Sequence, residues 1–266
     1  MSALTQGLNP NQLAAVKTEG CPLLVVAGAG SGKTRVLTRR VAYLLAERNV
    51  APYEVLAITF TNKAAGEMKE RVAELVGERA KVMWVSTFHS ACVRILRKEA
   101  TLLGYTNAFT IYDQSDSLRL VTLVMRDLNL DEKRYAPRAV ASFISQAKNE
   151  LMGPTDYLNQ AKDQFQEIVA QVFSIYQKRL SAANSMDFDD LIAKTVEVLQ
   201  RHPEVKAKYR SRFRHILVDE YQDTNHAQYI LIKELVGSEL EGFPPAELCV
   251  VGDADQSIYA LSLIHI

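Results

Sequence analysis

The chain has 266 residues, of which 48% are hydrophobic, and it carries 31 basic and 31 acidic side chains. This length and composition suffice for a hydrophobic core in one large domain, or in one domain with an insertion. A formal net charge of zero gives no bulk electrostatic support to nucleic-acid binding, so such a function has to depend on local motifs. The apolar runs are far shorter than the roughly 18 residues that span a bilayer, so we expect no membrane partner.

Residues 1–6 have neither the basic start nor the apolar centre of a secretory signal, so we expect a cytoplasmic protein. Three cysteines occur, at Cys21, Cys92 and Cys249, far apart and within apolar segments. An odd number of widely spaced cysteines in apolar surroundings is typical of buried free thiols rather than of disulfides or a metal site.

Short β-rich runs, most of them followed by a helical pattern, predict a mostly parallel sheet with helical crossovers and therefore an α/β fold. The near-continuous apolar run V-L-A-I-T-F indicates a strand buried on both faces. Ligands of such a sheet gather at the carboxyl ends of its strands. The predicted strands are residues 23–27, 55–60, 82–86, 216–219 and 248–252.

The β pattern disappears between about residues 110 and 184, where the sequence predicts helices at 115–128, 137–151 and 164–183. Strand-like sequence resumes near residue 215, so the helical segment interrupts one domain instead of ending it. We therefore predict an α/β domain of residues 1–109 and 185–260 with a helical insertion subdomain at 110–184.

A glycine-rich segment, A-G-A-G-S-G-K-T, lies between the first predicted strand and the first long helical pattern, which is the context of a P-loop. Its glycines let backbone N–H groups approach phosphate oxygens, and the following helix start adds a positive potential. Lys33 is predicted to reach the β and γ phosphates, and the Thr34 hydroxyl to ligate Mg²⁺. The loop predicted to bind ATP comprises Ala27, Gly28, Ala29, Gly30, Ser31, Gly32, Lys33 and Thr34.

Acidic and amide side chains follow two later strands. Asp219 ends the strand at 216–219 and is predicted to hold the same Mg²⁺ as Thr34. Glu220 beside it is a candidate catalytic base, because a carboxylate there can orient and polarise the attacking water. Gln256 follows the strand at 248–252 and can bond both water and the γ-phosphate without adding negative charge. Lys33, Glu220 and Gln256 are therefore the predicted catalytic residues.

A further acidic segment, M-D-F-D-D-L-I, contains Asp187, Asp189 and Asp190. Three carboxylates at this spacing resemble a metal cluster, but Asp187 is better interpreted as the cap of the helix that follows.

Seven motifs follow one another along the chain: L-N-P-N-Q, A-G-A-G-S-G-K-T, I-T-F-T-N-K-A-A-G-E-M-K-E-R, V-S-T-F-H-S, M-D-F-D-D-L-I, V-D-E-Y-Q-D-T-N and V-G-D-A-D-Q-S-I-Y. In this order, from Leu8 to Ala260, they resemble the UvrD/Rep/PcrA group of superfamily I DNA helicases. The resemblance implies a RecA-like P-loop NTPase fold with ATP-driven translocation on single-stranded DNA, 3′ to 5′, and duplex unwinding at single-strand to duplex junctions. It also implies work with DNA repair or replication proteins on the nucleoid.

The resemblance assigns further residues to the nucleotide and to DNA. It implies that Gln12 contacts adenine and that Arg35 lies against the nucleotide. Helix starts that follow strands can offer N–H groups to DNA phosphates, and aromatic faces can stack on bases of any sequence. The predicted DNA-binding residues are Phe60, Thr61, Asn62, Thr87, Phe88, His89 and Tyr259, with Thr61 or Asn62 as the helix cap.

Residues 261–266, L-S-L-I-H-I, depart from the family pattern, which continues with an aromatic residue, arginine and glycine. One frame of a widely used transposase sequencing adapter encodes this hexapeptide, so we expect the tail to be adapter-derived. Helicases of this group close ATP between two similar domains, and arginines from the second domain stabilise the transferring phosphate. The motifs of the present stretch belong to the first domain. We therefore expect slow hydrolysis, and no unwinding, from the present stretch alone.

Two other functions share some of these motifs. A helicase subunit of a RecB- or AddA-type nuclease complex would normally carry longer insertions. A non-catalytic nucleotide- or DNA-binding half-motor would tolerate loss of Lys33, Asp219 or Glu220, and all three are present.

Overall fold

The computed structural model describes residues 4–20, 22–28, 30–238 and 244–253. The strands, numbered in chain order, are β1 Leu23–Val26, β2 Val55–Thr59, β3 Trp84–Thr87, β4 Thr110–Tyr112, β5 Ser185–Asp187, β6 His215–Val218 and β7 Glu247–Gly252. The α-helices are α1 Pro10–Lys17, α2 Lys33–Ala46, α3 Asn62–Val76, α4 Phe88–Glu99, α5 Gln114–Asp127, α6 Pro137–Asn149, α7 Pro154–Asn159, α8 Gln164–Ala182, α9 Phe188–Arg201, α10 Pro203–Arg212 and α11 His226–Val236.

Five strands form one sheet in the order β1-β7-β6-β2-β3. Every neighbouring pair in this sheet is parallel. The α/β fold predicted from the sequence is confirmed. Because all five strands run in one direction, the segments that follow them emerge along a single edge of the sheet, which is where parallel sheets bind their ligands.

The core around this sheet is aliphatic. All five residues of β2 are buried, as the run V-L-A-I-T-F predicted. Helix α2 contributes Leu37, Val41 and Leu45, which pack with Ala57 of β2 and Leu217 of β6. Side chains spaced four residues apart on one face of the helix thus cover a parallel sheet that is buried on both faces.

The chain divides into two compact units, one of residues 1–91, 203–224 and 232–266 and the other of residues 92–202 and 225–231. The first unit contains the five-stranded sheet. The second unit contains the three helices predicted between 110 and 184, each within two residues of its predicted bounds. It begins at residue 92, so its bounds are wider than the predicted insertion.

One expectation about the second unit is wrong. The β pattern was expected to be absent from about residue 110 to residue 184, but Thr110–Tyr112 forms β4, which pairs in parallel with β5. Pairing over three residues leaves too short a period-two pattern to recognise in a sequence. The core of this unit lies among α5, α6 and α8, with Val124, Ile144 and Phe173 as central residues.

Cys92 and Cys249 are buried free thiols, as predicted, whereas Cys21 lies outside the described residues. Burial raises the pKa of the Cys249 thiol to about 11, so it is protonated and unreactive at neutral pH. In the described part of the chain, no helix is both long enough and apolar enough to cross a membrane.

Candidate functional site

The candidate site lies at the carboxyl ends of β1, β7 and β6, which are adjacent in the sheet. The glycine-rich loop follows β1, Asp253 follows β7, and Asp219 follows β6. Residues that are far apart in the chain therefore emerge from three neighbouring strand tips. The backbone bond from Ala27 N–H to the Gly252 carbonyl, at 3.1 Å, extends the β1–β7 pairing into the start of the loop.

The loop turns sharply into α2 through two glycines in left-handed backbone conformations, Gly30 with φ +75° and Gly32 with φ +88°. Residues with a Cβ rarely adopt these angles, so glycine is required for the turn. Gly32 is the N-cap of α2 and supplies no side-chain cap to the helix start. The unbonded N–H groups of the first turn of α2 are an arrangement that can accept an anion. Ala29 lies outside the described residues.

Lys33, the first residue of α2, folds its side chain back across the loop. Its Nζ donates to the Ala27 carbonyl at 2.9 Å and forms an ion pair with Asp253 Oδ2 at 3.1 Å. Both side chains of this pair are largely buried, which strengthens their attraction. Thr34 lies in the same first turn and is partly buried.

Gln12 and Arg35 lie beside the loop. Gln12 completes a capping box with Asn9 at the start of α1, and its Nε2 donates to the Ser31 carbonyl at 3.0 Å. A Cβ on Gly32 would come within 3.0 Å of Gln12 Nε2, which is a second reason for glycine there. A Cβ on Gly7 would lie 2.9 Å from an Arg35 guanidinium nitrogen. The two residues thus lie where the sequence predicts nucleotide contacts, which stay predictions.

Asp219 and Glu220 form a strained acidic turn after β6. Glu220 has φ +47° and ψ +44°, a left-handed conformation that a residue with a side chain adopts at an energetic cost. Its backbone N–H donates to Asp219 Oδ1 at 3.1 Å. Burial, and then the charge of Glu220, raise the pKa of Asp219 to about 6. Backbone strain and a raised carboxyl pKa are both common where a protein does chemistry.

Gln222 also lies in the site, although the sequence did not predict it as a site residue. Its side chain is 1% exposed, its Nε2 donates to Glu220 Oε2 at 2.8 Å, and its Oε1 accepts from the Asp253 N–H at 2.9 Å. The motif V-D-E-Y-Q-D contains this glutamine, but no spacing rule indicates that it turns inward. Its contact with Asp253 is 31 residues distant in sequence and depends on the pairing of β6 with β7.

The segments after β2 and β3 continue the same sheet edge. Thr61 is the N-cap of α3, with Oγ1 accepting from the Ala64 N–H at 3.1 Å, so Thr61 and not Asn62 is the cap. Asn62 is exposed. After β3, Thr87 Oγ1 accepts from the Ser90 N–H at 3.3 Å. Both strands are therefore followed at once by a helix start with a threonine hydroxyl as its local cap.

Phe88 does not fit the role predicted for it. Its side chain is only 2% exposed and meets Phe60 edge to face, with ring centroids 5.6 Å apart. A buried ring offers no face to a nucleic-acid base, so we correct its assignment to support of the partly exposed Phe60. His89 is partly exposed, and burial lowers its pKa, so at neutral pH it carries no charge for a phosphate.

Residues 8–263 match the family model of the UvrD/REP helicase N-terminal domain. The chain belongs to the UvrD/REP helicase family. It is 62% identical over 262 residues to the ATP-dependent DNA helicase UvrD1 of Mycobacterium tuberculosis, and 58% identical over 266 residues to that of Mycobacterium leprae. It is 53% identical over 259 residues to the ATP-dependent DNA helicase PcrA of Staphylococcus aureus. Each match covers 97% of this chain but only 34% or 35% of the relative, so the chain spans about a third of their length.

Two predicted site residues, Gln256 and Tyr259, lie outside the described residues, as do the tail residues 261–266. The last described residue before them is Asp253 at the tip of β7. The roles predicted for Gln256 and Tyr259 therefore stay predictions.

The M-D-F-D-D segment of this UvrD/REP chain lies in the second unit and is structural. Asp187 is the N-cap of α9 in a capping box with Asp190, as predicted. The Nζ of the buried Lys148 lies 2.6 Å from Asp187 Oδ2 and 2.9 Å from Asp190 Oδ1. Tyr176 donates to Asp187 Oδ2 at 2.7 Å. A buried cation and a phenol thus satisfy these carboxylates. Burial, and then the charge of Asp187, raise the pKa of Asp189 to about 6.

Proposed function

We propose that this chain is the ATP-binding motor domain of a DNA helicase that translocates 3′ to 5′ on single-stranded DNA. The observation that carries the proposal is the placement of the glycine-rich loop at the tip of β1 and of Asp219 and Glu220 at the tip of β6, on the two sides of β7 in one parallel sheet. The curated relatives, ATP-dependent DNA helicases by name, support it. Because the chain spans about a third of their length, unwinding, single-strand to duplex junctions as substrates, and repair or replication partners on the cytoplasmic nucleoid all belong to the proposal.

The nucleotide would bind at the start of α2. Backbone N–H groups of the loop and the Lys33 ammonium would bind the β and γ phosphates, while Gln12 would contact adenine and Arg35 would lie against the nucleotide. The Thr34 hydroxyl and the Asp219 carboxylate are hard oxygen donors, which suit Mg²⁺. When bound, Mg²⁺ would neutralise charge on the phosphates. The raised pKa of Asp219 agrees with a carboxylate that lacks a full counter-charge among protein groups.

Hydrolysis would follow attack of water on the γ-phosphorus, with cleavage of the bond between that phosphorus and the bridging oxygen. Glu220 would orient the water and accept its proton, and Lys33 would stabilise the charge on the transferring group. Gln256 would respond to the γ-phosphate. A strained backbone at Glu220 supports this assignment, because such strain persists where function requires a fixed side-chain direction.

Single-stranded DNA would run along the sheet edge past β2 and β3. The α3 start at Thr61 and Asn62 and the α4 start at Thr87 would contact phosphates, and Phe60 would stack on a base. His89 would donate a hydrogen bond as a neutral imidazole, and Tyr259 would add a second aromatic surface. Stacking on any base suits a motor that moves without sequence preference.

The substitution Glu220→Gln tests the assignment of Glu220 as the base for ATP hydrolysis. Glu220→Gln should keep ATP affinity within about threefold and lower hydrolysis by about 10²- to 10⁴-fold, because the proton acceptor is lost. Affinity is measured with a fluorescent ATP analogue, and hydrolysis as a single turnover with protein in excess and single-stranded DNA present. Glu78→Gln, at an exposed carboxylate of the same unit, is the matched control. Wild-type hydrolysis by Glu220→Gln would contradict the proposal.

Phe60 and Tyr53 give a matched pair for the DNA assignment, because they flank opposite ends of β2. Phe60→Ala should weaken binding of an oligothymidine by roughly 5- to 100-fold, the effect of losing about one stacked base. Tyr53→Ala removes an aromatic side chain that is 53% exposed at the other end and should leave affinity unchanged. Fluorescence anisotropy measures both, with a thermal melt to show that each variant is folded. Equal affinities of the two variants for the oligothymidine would show that Phe60 does not stack on DNA.

A further inference from the structure

The candidate catalytic base is held by a residue to which the sequence motifs assign no role. The Gln222 amide donates through Nε2 to Glu220 Oε2 and accepts through Oε1 from the Asp253 backbone N–H. The side chain is 1% exposed, so water has no access to replace either bond. One buried amide thus joins the turn after β6 to the tip of β7.

Glutamine suits this position chemically. A carboxamide carries a donor and an acceptor on adjacent atoms and no charge, so it satisfies a carboxylate at one end and an N–H at the other. Glutamate would keep the acceptor but would place a second negative charge beside Glu220. Leucine would leave the Asp253 N–H buried without its partner, which is energetically costly.

The bonds continue beyond Asp253 to the phosphate loop. Asp253 Oδ2 pairs with Lys33 Nζ at 3.1 Å, and Lys33 Nζ donates to the Ala27 carbonyl at 2.9 Å. A continuous set of polar contacts therefore runs from Glu220 through Gln222, Asp253 and Lys33 to the end of β1. A γ-phosphate bound by Lys33 would compete with Asp253 for the same ammonium, and Asp253 is bonded to Gln222 through its own backbone.

We propose that Gln222 is a positioning residue for ATP hydrolysis, which orients the Glu220 carboxylate and links that orientation to the position of the β7 tip. This inference rests on the proposed function, in which Glu220 is the base. Gln222 acts through Glu220 and touches no substrate. Its effect is on turnover, while nucleotide affinity depends on the loop.

Two variants distinguish the contributions of the two hydrogen bonds made by the Gln222 side chain. Gln222→Leu removes both bonds, and we expect turnover about 10- to 100-fold lower, as for a misplaced catalytic group, with ATP affinity within about threefold. It should also speed hydrogen exchange of the Asp253 amide at least about tenfold. Gln222→Glu keeps the acceptor, so Asp253 protection should persist while turnover falls. Single-turnover hydrolysis, ATP titration and amide exchange by NMR measure these three quantities.

Gln228→Leu is the matched control, because Gln228 is 8% exposed and its Oε1 likewise accepts a backbone N–H. It should lower stability as Gln222→Leu does and leave turnover unchanged. In a Glu220→Gln background, Gln222→Leu should lower turnover no further, because both changes act through one group.

Undiminished turnover in Gln222→Leu, or an unaltered Asp253 exchange rate, would overturn the inference. Wild-type turnover in Glu220→Gln would instead count against the proposed function, and amide exchange would still decide whether Gln222 links the two strand tips.

Discussion

Two acidic turns in this chain look alike in sequence and differ in physical character. The β6 turn, residues 219–223, and the β5 turn, residues 187–190, each begin with an aspartate at the end of a short buried strand, Asp219 directly after β6 and Asp187 as the last residue of β5. In the β5 turn the buried Lys148 forms ion pairs with both Asp187 and Asp190. In the β6 turn Asp219 and Glu220 repel each other and the backbone is strained. Carboxylates that cluster in the sequence thus meet different surroundings, a buried ammonium in the β5 turn and a second carboxylate on a strained backbone in the β6 turn.

The pKa values express the same contrast. Burial favours the neutral form of Asp187, but the charge of Lys148 and the hydrogen bonds from Lys148, the Asp190 N–H and Tyr176 together outweigh it and lower the pKa of Asp187 below its usual value. Burial raises the pKa of Asp219 to about 6, and the neighbouring Glu220 adds to the effect. The folded state therefore favours the charged form of Asp187 and disfavours that of Asp219.

The largest expected effect is the loss of the cation in the β5 turn. Lys148→Met should lower the free energy of unfolding by about 3–5 kcal/mol, because two buried carboxylates lose their counter-charge. Urea denaturation followed by circular dichroism measures the change. Lys194→Met is the control, since the Lys194–Glu197 pair is partly exposed and should contribute less than about 1 kcal/mol. Similar losses in both variants would show that burial of the pair does not matter.

The β6 turn should respond in the opposite direction. Asp219→Asn should raise the free energy of unfolding at pH 7 by about 1–2 kcal/mol, because it removes a buried charge that the fold disfavours and keeps the acceptor for the Glu220 N–H. Asp187→Asn should lower stability, since it removes half of the pair with Lys148. Parallel denaturation curves test both signs. Destabilisation by Asp219→Asn would mean that Asp219 stabilises the fold as Asp187 does.

The smallest expected effect is the contribution of Asp189 to the free energy of unfolding, which depends on pH. The pKa of Asp189 is about 6 in the fold and near 3.8 in the unfolded chain, so the fold binds the extra proton between these values. Stability from this group is thus present below about pH 4 and is lost as pH rises towards 6. Asp189→Asn should match wild type at pH 4 and exceed it by about 1 kcal/mol at pH 7. If the free energies of unfolding of wild type and Asp189→Asn differed by the same amount at pH 4 and at pH 7, the result would contradict this pKa.

Local patterns in the sequence predicted most of the fold. The five sheet strands, the three helices of the second unit and the Asp187 cap depend on side-chain periodicity and on contacts within a few residues. The glycine loop and the acids at the end of β6 were also predicted, because a strand, a turn and a helix start are local features.

Contacts between distant segments were decided only by the tertiary structure. Gln222 reaches Asp253 because β6 pairs with β7, and Lys148 reaches Asp187 from a helix 39 residues earlier. Phe88 is buried because Phe60, on the neighbouring strand's end, packs against it. Periodicity records which residues turn inward, but the partner that each one meets depends on strand order and helix packing, which no local pattern encodes.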